Sequence, residues 1–151
     1  RERVNEQGET PAWHDEALIQ LAAMLRALPG AAEPDWSDRG RVVFSAAGAP
    51  VEFARIRTDR RWVLDLSFRV PKGAFDEEDL AGELALPSWD DVEQVPIFGR
   101  GSRVRIRTRT RDYDRIAIQA HFESDVTSEA FRRFLTRAWD EYRRVWAKEC
   151  D

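Results

Sequence analysis

Cysteine, histidine and lysine are nearly absent from this chain. Among its 151 residues there is one cysteine, Cys150, two histidines, His14 and His121, and two lysines, Lys72 and Lys148. A single cysteine excludes an intrachain disulfide and a thiolate metal cluster, and it fits a reducing cytoplasm. Two histidines far apart in sequence give no zinc pattern, so neither a metal nor a cofactor is expected. No apolar run approaches the ~18 residues that span a membrane, and no stretch reads as a signal peptide. A Walker loop, a dinucleotide fingerprint and a Gly-x-Ser-x-Gly elbow are all missing. Gly99-Arg100-Gly101-Ser102 is too short for a phosphate loop.

What remains is an ordinary globular composition, 42% hydrophobic and 34% charged, with enough length for a core of its own. Residues 1–151 read as a single α+β domain, with residues 1–9 as a flexible lead. The chain begins with Arg1 rather than Met, which fits a trimmed protein or a piece of a longer one. The formal net charge of −4 argues against an indiscriminate polyanion binder.

Periodicity places the elements. A helix is expected from Thr10, as N-cap before Pro11, to Leu28, with Ala17, Leu18, Leu21, Ala22, Leu25 and Leu28 as its apolar stripe. Short strands follow at 41–45 and 51–58. The run Trp62 to Val70 alternates cleanly: Trp62, Leu64, Leu66, Phe68 and Val70 on one face, Val63, Asp65, Ser67 and Arg69 on the other. Residues 76–93 hold eight carboxylates and no Lys or Arg, and the stretch Asp76 to Leu84 reads as a short acidic helix. After a turn at Asp112-Tyr113-Asp114, a strand from Arg115 to Phe122 leads to a final helix capped by Thr127 or Ser128. Its apolar face is Ala130, Phe131, Phe134, Leu135, Ala138, Tyr142, Val145 and Trp146. Strands between helices indicate an antiparallel sheet of about five strands, with the N- and C-terminal helices on one face.

The unusual feature is the run 102–111. Arg103, Arg105, Arg107, Arg109 and Arg111 alternate with Val, Ile and Thr, which favour strands. A strand would put all five guanidiniums on one face over roughly 27 Å, at about 3.3 Å per residue. The bland reading of arginine in place of lysine is a GC-rich genome, which would not account for the alternation. Five like charges need anions nearby: a bound ligand, solvent ions, or the acidic segment 76–93 folded across them.

The stretches Phe53-Ala54-Arg55-Ile56-Arg57, Trp62 to Arg69, Gln119-Ala120-His121-Phe122, Thr127 to Phe131 and Leu135 to Trp139 resemble bacterial DUF5655-type domains. Leu28-Pro29-Gly30, with Trp36 and the same Phe-Ala-Arg strand, resembles the MmcQ/YjbR group. Both resemblances imply small α+β domains without a settled activity, and no catalytic residue is carried over. The acidic insert and the five-arginine alternation depart from either pattern.

Three functions are therefore expected in order. The first is a non-enzymatic module binding nucleic acid or another polyanion through Arg103, Arg105, Arg107, Arg109 and Arg111. The second is a protein-interaction or accessory domain of a larger bacterial protein, its arginines neutralised by acidic side chains. The third is a hydrolase in which Asp65 and His121 face each other across the sheet and share acid–base work. For each the bland alternative is a solvated polar face.

Overall fold

The computed structural model describes residues 15–59, 63–87 and 103–147. The helix start at Thr10–Pro11, His14, Trp62, residues 88–93 of the acidic segment, Gly99–Ser102 and Cys150 lie outside the described residues, as does the 1–9 lead. Along the chain run α1 (Asp15–Arg26), β1 (Arg41–Phe44), β2 (Ala54–Arg57), β3 (Leu64–Pro71), α2 (Glu77–Leu84), β4 (Val104–Arg107), β5 (Tyr113–Ala120), α3 (Ser124–Thr127) and α4 (Glu129–Trp146). The fold is α+β. Its five strands form one sheet in the order β1-β2-β3-β5-β4, with every neighbouring pair antiparallel.

The alternation in β3 does what period two requires. Leu64, Leu66, Phe68 and Val70 are buried, while Asp65, Ser67 and Arg69 are only partly covered. Register carries that division across the sheet: Phe68 lies opposite Ala54 on one side and Ile116 on the other, all buried. The apolar face is covered by helices. Leu18, Leu21 and Leu25 of α1 and Phe131, Phe134, Leu135 and Ala138 of α4 join the same buried cluster as the strands. Phe134 stands edge-on to Phe68 at 5.3 Å between ring centres. Each large apolar side chain so buried contributes about 1.5–3 kcal/mol.

Helix α4 is also tied to the loops by polar tips. The Tyr142 hydroxyl donates to the Val51 carbonyl (2.6 Å) and accepts from the Ala46 amide (3.2 Å), and Trp139 Nε1 donates to the Pro29 carbonyl (2.9 Å). Trp139 is 1% exposed and belongs to the core, a role the apolar stripe read from sequence left out. Ser128 caps the helix by accepting from the Phe131 amide at 3.1 Å.

The acidic helix forms as expected, with Asp76 as N-cap accepting from the Asp79 amide (3.1 Å) and three carboxylates in its first turn. Ala85 ends it in the left-handed region at φ 53°, where glycine is usual. Its position bears on whether the acidic segment covers the arginines, a point the sequence leaves open. Leu80 and Leu84 enter the core, Glu83 lies 3.5 Å from Arg137 of α4, and Glu77 Oε1 accepts from the Ile106 amide at 2.7 Å. The described part of the acidic segment thus sits beside α4 and along the rim of β4, not over the arginines. The apolar Leu80 and Leu84 dictate this, because they can be buried only on the helical side.

Candidate functional site

The five-arginine row divides into three environments. Only Arg105 and Arg107 lie within β4 and point to solvent; Val104 and Ile106, which alternate with them, turn inward. Arg109 and Arg111 lie in the connection between β4 and β5 and are exposed. Pairing ends at Arg107↔Arg115, so the alternation beyond it belongs to a turn and not to a strand. The expected 27 Å row of five is therefore corrected to two strand arginines and two in a loop.

Arg103 leaves the surface altogether. Its side chain is 1% exposed, and its Nη2 meets Asp125 Oδ2 at 2.5 Å. Its Nε donates to the Gln119 carbonyl at 3.1 Å and its Nη1 to that of Pro87 at 3.5 Å. The same Asp125 oxygen accepts from the amides of His121 and Phe122, both at 2.9 Å. One carboxylate thus joins the entry to β4, the exit of β5 and α3. Expecting Arg103 on a ligand-facing surface is overturned by its burial: a guanidinium this enclosed needs a carboxylate and carbonyls around it, and it has them.

The exposed arginines have company that the run 102–111 does not reveal. On the polar face, Arg105 lies in register with Ala117, Ser67 and Arg55, and Arg107 with Arg115 and Arg69. A third line holds Arg41, Arg57, Asp65 and Gln119. Arg55 is held by Glu52 at 2.6 Å, Arg57 by Asp59 at 3.2 Å and Arg41 by Asp38 at 3.2 Å. No ion pair among the described residues involves Arg105, Arg107, Arg109 or Arg111. Tyr113 lies on this face too, with the Arg69 guanidinium 4.0 Å and that of Arg115 5.5 Å from its ring centre. Hydrogen bonding from Arg115 and Thr110, and then the charges of Arg69 and Arg115, hold the Tyr113 hydroxyl below its ordinary range.

Asp65 and His121 do not form the expected cross-strand couple. The residue opposite Asp65 is Gln119 on one side and Arg57 on the other. His121 follows the end of β5, is 5% exposed and rests edge-on to Phe122 at 4.6 Å. An imidazole this buried shows little of its surface to a substrate. An open groove of about 570 Å³ between α2 and α4 carries both signs, with Arg137 paired to Glu83 and Arg133 to Glu129 at 3.6 Å. Among the described residues no group of His, Cys, Asp and Glu is placed to hold a metal ion, and no helix is long and apolar enough to cross a membrane.

Sequence reasoning missed Asp125 and gave no role to Arg115 or to Arg69, although Arg69 already stood on the polar face of its strand. Asp125 follows the β5 strand closely, where a short side chain can accept from the amides three and four residues before it, and that spacing is the available signal. Arg69 and Arg115 each alternate with apolar residues in their own strands, but only the register sets them beside Arg107. Comparison with protein-family models, with curated proteins and with solved structures finds no match to this chain. The resemblances drawn from sequence therefore bring no residue to the site.

Proposed function

We propose that the domain is a non-enzymatic binding module whose arginine-bearing sheet face holds a polyanion, with nucleic acid as the first choice. The observation that carries this reading is the separation of charge. Arg105 and Arg107 are exposed and form no ion pair among the described residues, while two carboxylates of α2 are engaged elsewhere: Glu77 accepts from the Ile106 amide at the β4 rim and Glu83 pairs with Arg137 of α4. Arg109 and Arg111 extend the basic surface past the strand. Guanidinium forks suit phosphate oxygens and tolerate sequence variation along a backbone. The net charge of −4 does not oppose this, since a local basic face steers an anion whatever the total.

The test is fluorescence anisotropy with labelled single- and double-stranded DNA and RNA at low and physiological salt. Binding is expected to weaken with salt with a slope of about −0.7 to −0.9 per phosphate contacted. The double variant Arg105→Glu/Arg107→Glu is expected to abolish it while leaving the circular dichroism spectrum unchanged. No binding at low salt by the folded protein overturns the reading.

A second reading is favoured by the Arg55–Glu52 and Arg57–Asp59 pairs, which show this face already engaging carboxylates. In it the domain is an accessory module of a larger bacterial cytoplasmic protein, and the free arginines meet acidic side chains of a protein partner. Such a complex would survive moderate salt better than a nucleic-acid complex and would not compete with oligonucleotides.

A further inference from the structure

Three arginines stand directly abreast on three neighbouring strands. Arg69 of β3 is opposite Arg115 of β5, which is opposite Arg107 of β4. Strands lie about 4.8 Å apart, so the row spans roughly 10 Å. Like charges directly opposite one another destabilise a sheet. The row is nevertheless short of counter-charge: among the described residues the one carboxylate within ion-pair reach is Glu52, 3.9 Å from Arg115 and much closer to Arg55.

The row is also held in place. Arg115 Nη1 donates to Ser67 Oγ at 2.9 Å, and Arg69 Nε donates to the Glu52 carbonyl at 3.1 Å. The Tyr113 ring backs the Arg69 guanidinium at 4.0 Å, a cation–π contact that fixes its plane. Ser67, having accepted from Arg115, keeps its hydroxyl proton for another acceptor. Arg107 completes the row with an exposed guanidinium. The Arg115 and Arg69 guanidiniums also act on the Tyr113 hydroxyl: hydrogen bonds from Arg115 and Thr110, and then the charges of Arg69 and Arg115, hold it below its ordinary range.

We infer that Arg107, Arg115, Arg69 and Ser67 form a discrete phosphate-binding site, built to take the tetrahedral oxyanion of a phosphate ester. The inference rests on the reading of the sheet face as an anion surface and names the place where one phosphate is gripped. The Arg115 and Arg69 guanidiniums are pre-ordered by their neighbours, so little side-chain freedom is lost when the anion arrives. A chain of phosphodiesters and a small phosphate ester share this chemistry.

The experiment follows the arginine Nε–Hε signals by NMR while inorganic phosphate is added, with sodium chloride at matched ionic strength as reference. Saturable shifts are expected for Arg69 and Arg115. Arg107→Gln should weaken the apparent affinity about tenfold, the loss of one charge-assisted contact. Because Arg107 is exposed, that variant keeps the fold; Arg115→Gln is the second variant, and Arg132→Gln on α4 the control. Shifts that chloride reproduces, that never saturate, or that Arg132→Gln weakens equally overturn the site.

A second arm adds oligothymidylate. Displacement of phosphate by the oligonucleotide identifies a nucleic-acid backbone as the source of the ligand. Saturable phosphate binding with no oligonucleotide binding at low salt upholds the site for a small phosphate ester and removes the polyanion reading. Oligonucleotide binding that is lost in Arg105→Glu/Arg107→Glu, beside phosphate shifts that do not saturate, upholds the polyanion reading and removes the site.

Discussion

Arg103 and Arg107 stand at the two ends of one short strand and could hardly differ more. The first is enclosed, locked to Asp125 and to the carbonyls of Gln119 and Pro87; the second points into solvent and forms no ion pair among the described residues. They are the same residue type, in the same alternating run and on the same register parity. The difference is supplied from elsewhere in the chain: Asp125 lies 22 residues beyond Arg103 and reaches it only because α3 follows β5 closely. A row of like residues therefore describes a surface only after each member's partner is known.

The comparison can be broken most directly at the buried end. Asp125→Ala removes the acceptor of one guanidinium and two amides, and is expected to cost about 3–5 kcal/mol in urea unfolding. Arg103→Ala should fall in the same range. If either were as mild as a surface substitution, the contrast between the two ends would collapse.

An intermediate case sharpens it. Asp114 is buried and accepts from Lys72 Nζ (3.1 Å) and the Gly73 amide (3.0 Å), while Lys72, which also donates to the Thr108 carbonyl, is half in solvent. Asp114→Ala is expected to cost about 1–3 kcal/mol, since it leaves the Gly73 amide unpaired but no guanidinium enclosed without a counter-ion. A loss as large as that of Asp125→Ala would place both carboxylates in one class.

Tyr113 reports on the exposed end. Its hydroxyl is expected to ionise below the ordinary value of 10.0 in a spectrophotometric titration, and Arg115→Gln should return it upward. The sign for stability follows: a depressed value in the folded state adds stability as pH rises through it, fully above the unfolded value, and adds nothing at neutral pH. A Tyr113 titration indifferent to Arg115 would show that the face lacks the field ascribed to it. The smallest effect belongs to Arg107→Ala, expected within about 0.5 kcal/mol of the parent in the same urea experiment.

Much of the architecture was legible because it rests on local periodicity. β3 and α4 are written as an apolar alternation and an apolar stripe, and the acidic helix announces itself through Asp76 and three early carboxylates. The site was less so, for identifiable reasons. Alternation continues through Arg109 and Arg111, but strand pairing stops where the hairpin must turn, and the turn begins earlier than its Asp-Tyr-Asp sequence implied: Tyr113 and Asp114 are already in β5. Arg69 and Arg115 look like ordinary solvent-face residues of their own strands, and nothing in either strand names the other as neighbour. Whether the described part of the acidic segment lay across the arginines depended on where Leu80 and Leu84 could be buried, a question of packing and not of charge.

The Glu77 contact to the Ile106 amide has a wider consequence. Among the described residues β4 ends the sheet, and an outward amide at such an edge is a place where another strand could begin to pair. Glu77 occupies that donor and sets a carboxylate at the rim, so one pairing position on this edge is already taken before any other strand arrives.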